Sequence, residues 1–277
     1  MIPHIMIIQS AYDDPRLSER RLAIAEHTSV VALRYQTRKP VVHIQVNPKD
    51  PLLEARLSLY RSTGCEVRPL YREHGWKLYK ENWELPEGRK IVSRMDDDDI
   101  IAQDFCERTY NAAPPTGECN LIWPNGYVFW RETVFLLHHP GIQFVTLATD
   151  QMTDPHQEQH WQYCKTWPTK IVSEEPGWIW VRHGDAATST LKRYRQRKLR
   201  GISTARCPVN LRAILRAIEP SGRPSADYHE HRKQKHQKLG FGLAENHRNA
   251  PRSTGVHAES PAGDSTNIGH RDRIEGH

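Results

Sequence analysis

Four consecutive aspartates, Asp96 to Asp99, are the group of side chains in this sequence best suited to chemistry. Adjacent carboxylates repel one another and raise each other's proton affinity, so such a run costs free energy unless a cation offsets it. Carboxylate oxygens are the ligands that Mg²⁺ and Mn²⁺ prefer, and either ion could carry a diphosphate. The run therefore predicts a metal site, and the alternative is a solvated turn before a helix at Ile100.

The segment before the aspartates, residues 90–95, contains Ile91, Val92 and Met95 and predicts a buried strand. Side chains alternate along a strand, so Asp96 and Asp98 are expected on one face and the other two aspartates on the opposite face. A cation bound by the first pair would neutralise a diphosphate leaving group as its bond to a sugar breaks.

The elements that must position this site alternate along the first hundred residues. We predict strands at 4–9, 40–46, 65–70 and 90–95, with helices at 16–36 and 50–64. This alternation predicts an α/β fold with a Rossmann-like, mainly parallel sheet flanked by helices. In open sheets of this kind, ligands bind beyond the carboxyl ends of the strands, which is where the aspartates lie.

The alternation breaks down after the acidic run. We predict a helix over 100–111, and apolar runs on both sides of Pro124-Asn125-Gly126 predict a β-hairpin. A strand at 144–148, a short helix at 156–164 and a strand at 178–185 follow.

Composition divides the chain into a domain over 1–205, a helix over 206–219 packed on or near it, and a tail over 220–277. Hydrophobic residues make up 37% of the chain, below the usual share of about 45–50%, which suggests that part of the chain joins no core. The tail has few aliphatic residues and cannot offset its ordering entropy, so we predict that it is disordered.

Four elements of the sequence recur in the same order in a known family. They are an arginine-containing first helix (Arg16, Arg20, Arg21), the run Arg94 to Asp99, the segment Pro124 to Tyr127, and the segment Trp178 to Asp185. Through these elements, residues 4–195 resemble a bacterial rhamnosyltransferase family of GT-A glycosyltransferases. The acidic run looks like the DxD motif of that fold.

The resemblance implies a role for each aspartate. Asp96 would contact the ribose or base side of a nucleotide, and Asp98 would bind the metal, with Asp99 as the competing choice. Asp97 could replace either one, so the register of the motif stays open. His183 would complete the metal shell.

The resemblance also implies the ligands of the enzyme. It implies Mn²⁺ or Mg²⁺ as cofactor and a nucleotide-sugar as donor, with rhamnose suggested only by the family's name. The acceptor would be a glycan, a lipid-linked molecule or a protein.

Other charged residues could act on the donor and the acceptor. Arg20, Arg21 and Arg94 could pair with phosphate oxygens, because a guanidinium group matches them in a bidentate way. A solvated helix surface is the alternative. An inverting transferase also needs a carboxylate to deprotonate the acceptor hydroxyl. The candidates for that base are Asp150, Asp185 and Asp154.

Two other function classes stay open. A Mg²⁺-dependent phosphoesterase or nuclease could use the same acidic cluster. A non-enzymatic module could bind nucleic acid or a membrane surface through the basic segment 192–200, in a chain of net charge +6. We expect no specific nucleic acid, because a binding module does not explain a buried strand that leads into four aspartates.

The cellular location is predicted from the N-terminal residues and the cysteines. The N-terminal residues lack the cationic and apolar regions of a secretory signal, and the five cysteines include no CxxC pair. We expect a cytoplasmic protein that contacts the inner face of the membrane peripherally through 192–200.

Overall fold

The computed structural model describes residues 2–72, 85–130, 133–139, 144–151, 160–183, 197–198 and 210–218, all within one unit, Met1–Ser225. The helices in these ranges are α1 (Pro15–His27), α2 (Ser29–Arg34), α3 (Leu53–Arg61), α4 (Phe105–Ala112), α5 (His160–Thr166) and α6 (Leu211–Ile218). The strands are β1 (His4–Gln9), β2 (Val41–Val46), β3 (Glu66–Tyr71), β4 (Lys90–Asp96), β5 (Ile100–Ile101), β6 (Cys119–Ile122), β7 (Asn125–Trp130), β8 (Thr133–His138), β9 (Thr146–Thr149), β10 (Thr169–Ile171), β11 (Trp178–Arg182) and β12 (Arg197–Lys198).

The main sheet contains seven of the described strands, in the order β10-β6-β9-β4-β1-β2-β3. β4, β1, β2 and β3 are mutually parallel, so their carboxyl ends meet at one edge. β9 runs antiparallel to both β4 and β6. The predicted α/β fold, with a mainly parallel sheet flanked by helices, is confirmed.

β1 is buried on both faces of this sheet, as the continuous apolar run predicted. Ile5 and Ile7 pack with Val92 on one face, while Met6 and Ile8 join the larger core on the other face. Uninterrupted apolar strands are typical of parallel sheets that are covered on both sides. Each such isoleucine contributes about 1.5–3 kcal/mol through burial.

The first helix begins where the sequence predicted but ends earlier. Asp14 accepts hydrogen bonds from first-turn N–H groups, and Pro15 occupies the first turn, where its missing N–H costs nothing. The helix predicted over 16–36 is instead two helices that meet at Thr28, whose backbone is not helical (φ −121°, ψ −96°). The Thr28 hydroxyl donates to carbonyl groups in place of the helix ladder.

The second sheet contains five described strands, in the order β12-β8-β7-β11-β5. β7 pairs with β8 antiparallel and with β11 parallel. β6 belongs to the main sheet and β7 to the second sheet, so the hairpin predicted around Pro124 is wrong. The turn signal is real, but the chain crosses there from one sheet to the other.

Two tryptophans pack on two glycines beside this crossing. A Cβ atom on Gly126 would overlap the indole of Trp178, and one on Gly177 would overlap the indole of Trp123. The Trp178 Nε1 group donates to the Trp123 carbonyl at 2.8 Å. Long-range packing of this kind, rather than the local turn residues, therefore fixes where the chain goes after Pro124.

The helix predicted over 100–111 begins late. Ile100 and Ile101 are fully buried in β5, where they pair antiparallel with Ile179 and Trp178 of β11. α4 then starts at Phe105. Strand pairing buries the two isoleucines and overrides the local helical pattern.

The remaining predicted elements are present with shifted bounds. β9 takes the place of the strand predicted over 144–148, and α5 overlaps the helix predicted over 156–164. The strand predicted over 178–185 ends at Arg182 within β11. α6 contacts α1 and buries Ile214 completely.

Several predictions concern residues outside the described ranges. The tail over 220–277 and nearly all of the basic segment 192–200 belong to this group, so the predicted tail and domain limits stay predictions. Within the described residues, no helix combines the length and the apolar character that a membrane crossing requires.

Candidate functional site

The acidic run follows the end of β4 and folds into a turn. The Asp99 N–H donates to the Asp96 carbonyl at 3.2 Å, which closes the turn. The extended geometry therefore does not persist through the whole run. The prediction that Asp96 and Asp98 lie together is confirmed, whereas Asp99, which was expected on the same face as Asp97, lies with them instead. One carboxylate oxygen from each of Asp96, Asp98 and Asp99 lies within 4.8 Å of the others, whereas Asp97 is not part of this group.

The Asp97 side chain is completely buried beneath the turn, with an exposure of 0%. We call Asp97 and its partners Ser10, Tyr12, Arg21 and Arg56 the Asp97 network. The Asp97 carboxylate accepts hydrogen bonds from the Ser10 hydroxyl at 2.6 Å and the Tyr12 hydroxyl at 2.8 Å. It also forms ion pairs with Arg21 and, at 3.7 Å, with Arg56. Asp97 was predicted to bind a nucleotide, but with these partners it anchors the turn and does not face a ligand.

Arg56, on α3, belongs to the Asp97 network and is also completely buried. It donates to the hydroxyl groups of Ser10 at 2.8 Å and Ser18 at 2.6 Å, and lies 3.4 Å from the Asp50 carboxylate. The sequence analysis missed this arginine. Its one sequence signal is that it lies four residues before Tyr60 on the same buried helix face.

Ser10 and Tyr12 were also missed, although their position could have revealed them. Both follow β1, the strand that neighbours β4 in the sheet. Because carboxyl ends of parallel strands meet at one edge, residues just after β1 are expected beside residues just after β4.

Arg21, on α1, links the Asp97 network to the cluster of Asp96, Asp98 and Asp99. Its guanidinium group forms ion pairs with both Asp97 and Asp98. Its Nε group donates to the Tyr12 hydroxyl at 2.8 Å, and Nη1 lies 2.8 Å from Nε2 of His183. The sequence predicted that Arg21 pairs with phosphate, whereas the structure places it on carboxylates.

Asp98 lies between Arg21 and His183. The distance from its Oδ2 atom to Nε2 of His183 is 2.8 Å. Burial alone would raise the pKa of Asp98, but Arg21 and His183 lower that pKa far below its usual range. Asp98 is therefore ionised, and the two predicted metal ligands Asp98 and His183 lie together.

The other two carboxylates of the cluster are less well compensated. Burial raises the pKa of Asp96, although Arg94 lies 3.7 Å from its Oδ1 atom. Burial and the repulsion of Asp98 and Asp96 raise the pKa of Asp99 well above its usual range. Burial is the largest cause of both shifts, and the repulsion between neighbouring carboxylates adds to it.

Several charged side chains surround the acidic turn. They include five carboxylates (Asp50, Asp96, Asp97, Asp98, Asp99) and three guanidinium groups (Arg21, Arg56, Arg94). A bound cation would offset the repulsion between the clustered carboxylates. The Oδ1 atom of Asp96 is buried and accepts no hydrogen bond from the described residues. Carboxylate oxygens with one imidazole nitrogen fit Mn²⁺ or Mg²⁺.

Arg94 and Arg20 were also predicted to pair with phosphate oxygens. Arg94 is buried in β4 beside Asp96, as expected from the strand pattern. Arg20 is half-buried on α1, but the ion pairs of Asp97 and Asp98 involve Arg21 instead.

Asp150 is not brought to the cluster. It follows β9, whose Thr149 pairs with Lys90 at the opposite end of β4 from Asp96. A strand rises about 3.3 Å per residue, so roughly 20 Å of β4 separates the two ends. Asp150 is 52% exposed and lies 3.4 Å from Arg89. The other two candidate bases, Asp154 and Asp185, lie outside the described residues.

Comparison with known proteins adds likenesses of structure only. No family model and no curated protein matches the sequence. TarS of S. aureus is 10% identical with a TM-score of 0.45, over 65% of this chain and 37% of the TarS chain. The 4-diphosphocytidyl-2C-methyl-D-erythritol synthase of Anaerococcus prevotii is 13% identical, with a TM-score of 0.36 over 61% of this chain and 88% of its own. A second structure of a synthase of that name is 9% identical, with a TM-score of 0.38 over 64% and 90%.

The chain thus spans little more than a third of the TarS chain. The function proposed for it rests on the geometry and charge of its own site.

Proposed function

We propose that this protein is a metal-dependent glycosyltransferase of the GT-A type, which moves a sugar from a nucleotide-diphosphate donor to an acceptor hydroxyl. The observation that carries the proposal is the cluster of Asp96, Asp98 and Asp99 with His183 beside it. The cluster lies at the carboxyl edge of the mainly parallel sheet, where ligands of α/β proteins bind, and one carboxylate oxygen from each of its three aspartates lies within 4.8 Å of the others.

Asp96, Asp98, Asp99 and His183 would hold Mn²⁺ or Mg²⁺. The bound cation would neutralise the charge that develops on the departing diphosphate. The contribution of the protein itself is to keep these ligands in place. Asp97 and Arg56 hold the turn from beneath, and Arg94 lies against Asp96.

The finer assignments are part of the proposal. Rhamnose as the donor sugar is supported only by the resemblance of the motifs, and the acceptor would be a glycan, a lipid-linked molecule or a protein. Asp185 stays a candidate for the base that deprotonates the acceptor, because it follows His183 by two residues. Location in the cytoplasm and peripheral membrane contact through 192–200 also stay proposals.

The first experiment measures binding of a nucleoside diphosphate by calorimetry, with and without Mn²⁺. We expect Mn²⁺-dependent binding in the wild type, and its loss in Asp98→Asn because a cation ligand is removed. Asp150→Asn is the matched control, since it removes the same charge at the far end of β4 and should bind like the wild type. Equal binding by Asp98→Asn and the wild type would contradict the site assignment.

A second measurement separates transfer from phosphoester hydrolysis. The protein is incubated with Mn²⁺ and either a panel of nucleotide-sugars or a nuclease substrate. We expect release of nucleoside diphosphate from one nucleotide-sugar and no cleavage of the nucleic acid. The opposite pattern would favour the phosphoesterase or nuclease alternative, which uses the same type of cluster.

A further inference from the structure

We propose that the Arg21 guanidinium group occupies the place of the divalent cation between Asp98 and His183, and that cation binding displaces it. The proposal rests on the proposed function, because it concerns the regulation of the same site. Without a bound cation, Arg21 would offset the negative charge of Asp98, in addition to pairing with Asp97.

Three atoms meet at this point. Nε2 of His183 lies 2.8 Å from Oδ2 of Asp98 and 2.8 Å from Nη1 of Arg21. Nη1 of Arg21 also forms an ion pair with the same Oδ2 atom. The side chains of all three residues are less than one-tenth exposed, so water offers them little compensation.

These three contacts cannot all be favourable. A ring nitrogen of neutral histidine is either a donor or an acceptor. If Nε2 carries a proton, it donates to Asp98 but points an N–H group at the N–H groups of Arg21. If Nε2 carries a lone pair, it accepts from Arg21 but directs that lone pair at the carboxylate oxygen.

A divalent cation in the position of Nη1 removes the conflict. The lone pairs of His183 Nε2 and Asp98 Oδ2 would then both point at the cation. One carboxylate oxygen each of Asp96 and Asp99 lies within 4.8 Å of a carboxylate oxygen of Asp98. Carboxylates and imidazole are ordinary ligands of Mn²⁺.

The displacement moves the whole guanidinium group of Arg21, because its three nitrogens are held in one plane. As Nη1 leaves Asp98, the ion pair of Nη2 with Asp97 and the hydrogen bond of Nε to Tyr12 are given up as well. Asp97 keeps Ser10, Tyr12 and Arg56 as partners. The guanidinium end that leaves Asp98 would become available to diphosphate oxygens, which it matches in a bidentate way.

The test is a Mn²⁺ titration of the full-length protein, with free Mn²⁺ measured by electron paramagnetic resonance. Arg21→Gln should bind Mn²⁺ roughly tenfold more tightly than the wild type or better, because a like charge has left the cation position. Arg16→Gln is the matched control, because Arg16 is exposed on the same helix. It should bind Mn²⁺ as the wild type does.

Each outcome of the titration decides something. Tighter binding by Arg21→Gln, even where the wild type binds too weakly to measure, supports the displacement. Equal or weaker binding by Arg21→Gln, beside measurable binding by the wild type, overturns the displacement and leaves the proposed glycosyltransferase intact. Absence of Mn²⁺ binding in both proteins overturns the two proposals together.

A measurement on the wild type covers the case in which Arg21→Gln fails to fold. The Nε–H resonance of Arg21 is assigned by its loss in Arg21→Lys and followed by NMR as Mg²⁺ is added. A shift of this resonance at saturating Mg²⁺ supports displacement of the guanidinium group. An unchanged resonance overturns it.

Discussion

The two sides of the acidic turn differ in what surrounds their carboxylates. On the inner side, Asp97 has two hydroxyl donors and two guanidinium partners and is fully buried. On the outer side, Asp96, Asp98 and Asp99 lie close together, and burial with mutual repulsion raises the pKa values of Asp96 and Asp99. Identical, adjacent residues therefore differ in role: Asp97 stabilises the fold, whereas Asp96, Asp98 and Asp99 form the proposed cation site.

The largest expected difference between the two sides concerns the free energy of unfolding. Asp97→Ala removes the carboxylate between Arg21 and Arg56 and leaves two buried guanidinium groups poorly compensated, which should cost about 3–5 kcal/mol. Asp96→Ala should change the stability by less than about 1 kcal/mol, because it also relieves repulsion within the cluster. Urea unfolding of both variants without metal checks this, and equal losses would contradict the distinction between the sides.

The outer side should instead respond to metal. A ligand that binds only the folded state at a hundred times its dissociation constant stabilises that state by about 2.7 kcal/mol. We expect Mn²⁺ to stabilise the wild type and Asp150→Asn in this way, and to have no such effect on Asp98→Asn at the same concentration. Thermal unfolding with and without Mn²⁺ measures the effect, and equal stabilisation of all three proteins would place the cation elsewhere.

The free energy of unfolding should fall at acidic pH because His4 is buried in the protein interior. Burial lowers the pKa of His4 from 6.5 to about 4, and its Nε2 atom lies 2.8 Å from the Ser93 hydroxyl. The unfolded chain therefore takes up this proton at a higher pH than the folded protein does. The contribution of His4 to stability is complete above pH 6.5 and declines as the pH falls toward 4, by about 2 kcal/mol between pH 7 and pH 5.

His4→Gln is the variant that isolates this effect. Its free energy of unfolding should depend less on pH over the same interval, because glutamine does not titrate. Urea unfolding at pH 7 and at pH 5 gives the comparison with the wild type. The same pH dependence in both proteins would mean that other groups, such as His43, whose pKa burial also lowers to about 4, account for the decline.

The sequence predicted the elements whose signal is local. The four strands predicted in the first hundred residues became β1 to β4, and their parallel pairing agrees with the mainly parallel sheet expected from the alternation of strands and helices. The position of Asp96 at the carboxyl end of β4 followed as well, because it requires only the end of the strand. Proximity of Arg94 to the same edge needed no further information.

Features that depend on distant residues were not predictable in the same way. The turn at Asp97 is held by residues from two other segments: Ser10 and Tyr12 from the connection after β1, and Arg56 from α3. Asp150 was misjudged because its place depends on the direction of β9, which a run of apolar residues does not reveal.

β5 begins one residue after Asp99 and pairs with β11, at whose end His183 lies. Asp98 and Asp99 thus lie just before β5 and His183 just after β11, which are neighbouring strands of the second sheet, and the indole of Trp178 in β11 lies against Gly126. A bulkier residue at Gly126 would push β11 and alter the coordination of the cation without changing any of its ligands. The geometry of the proposed cation site would then depend on a glycine that does not contact the cation.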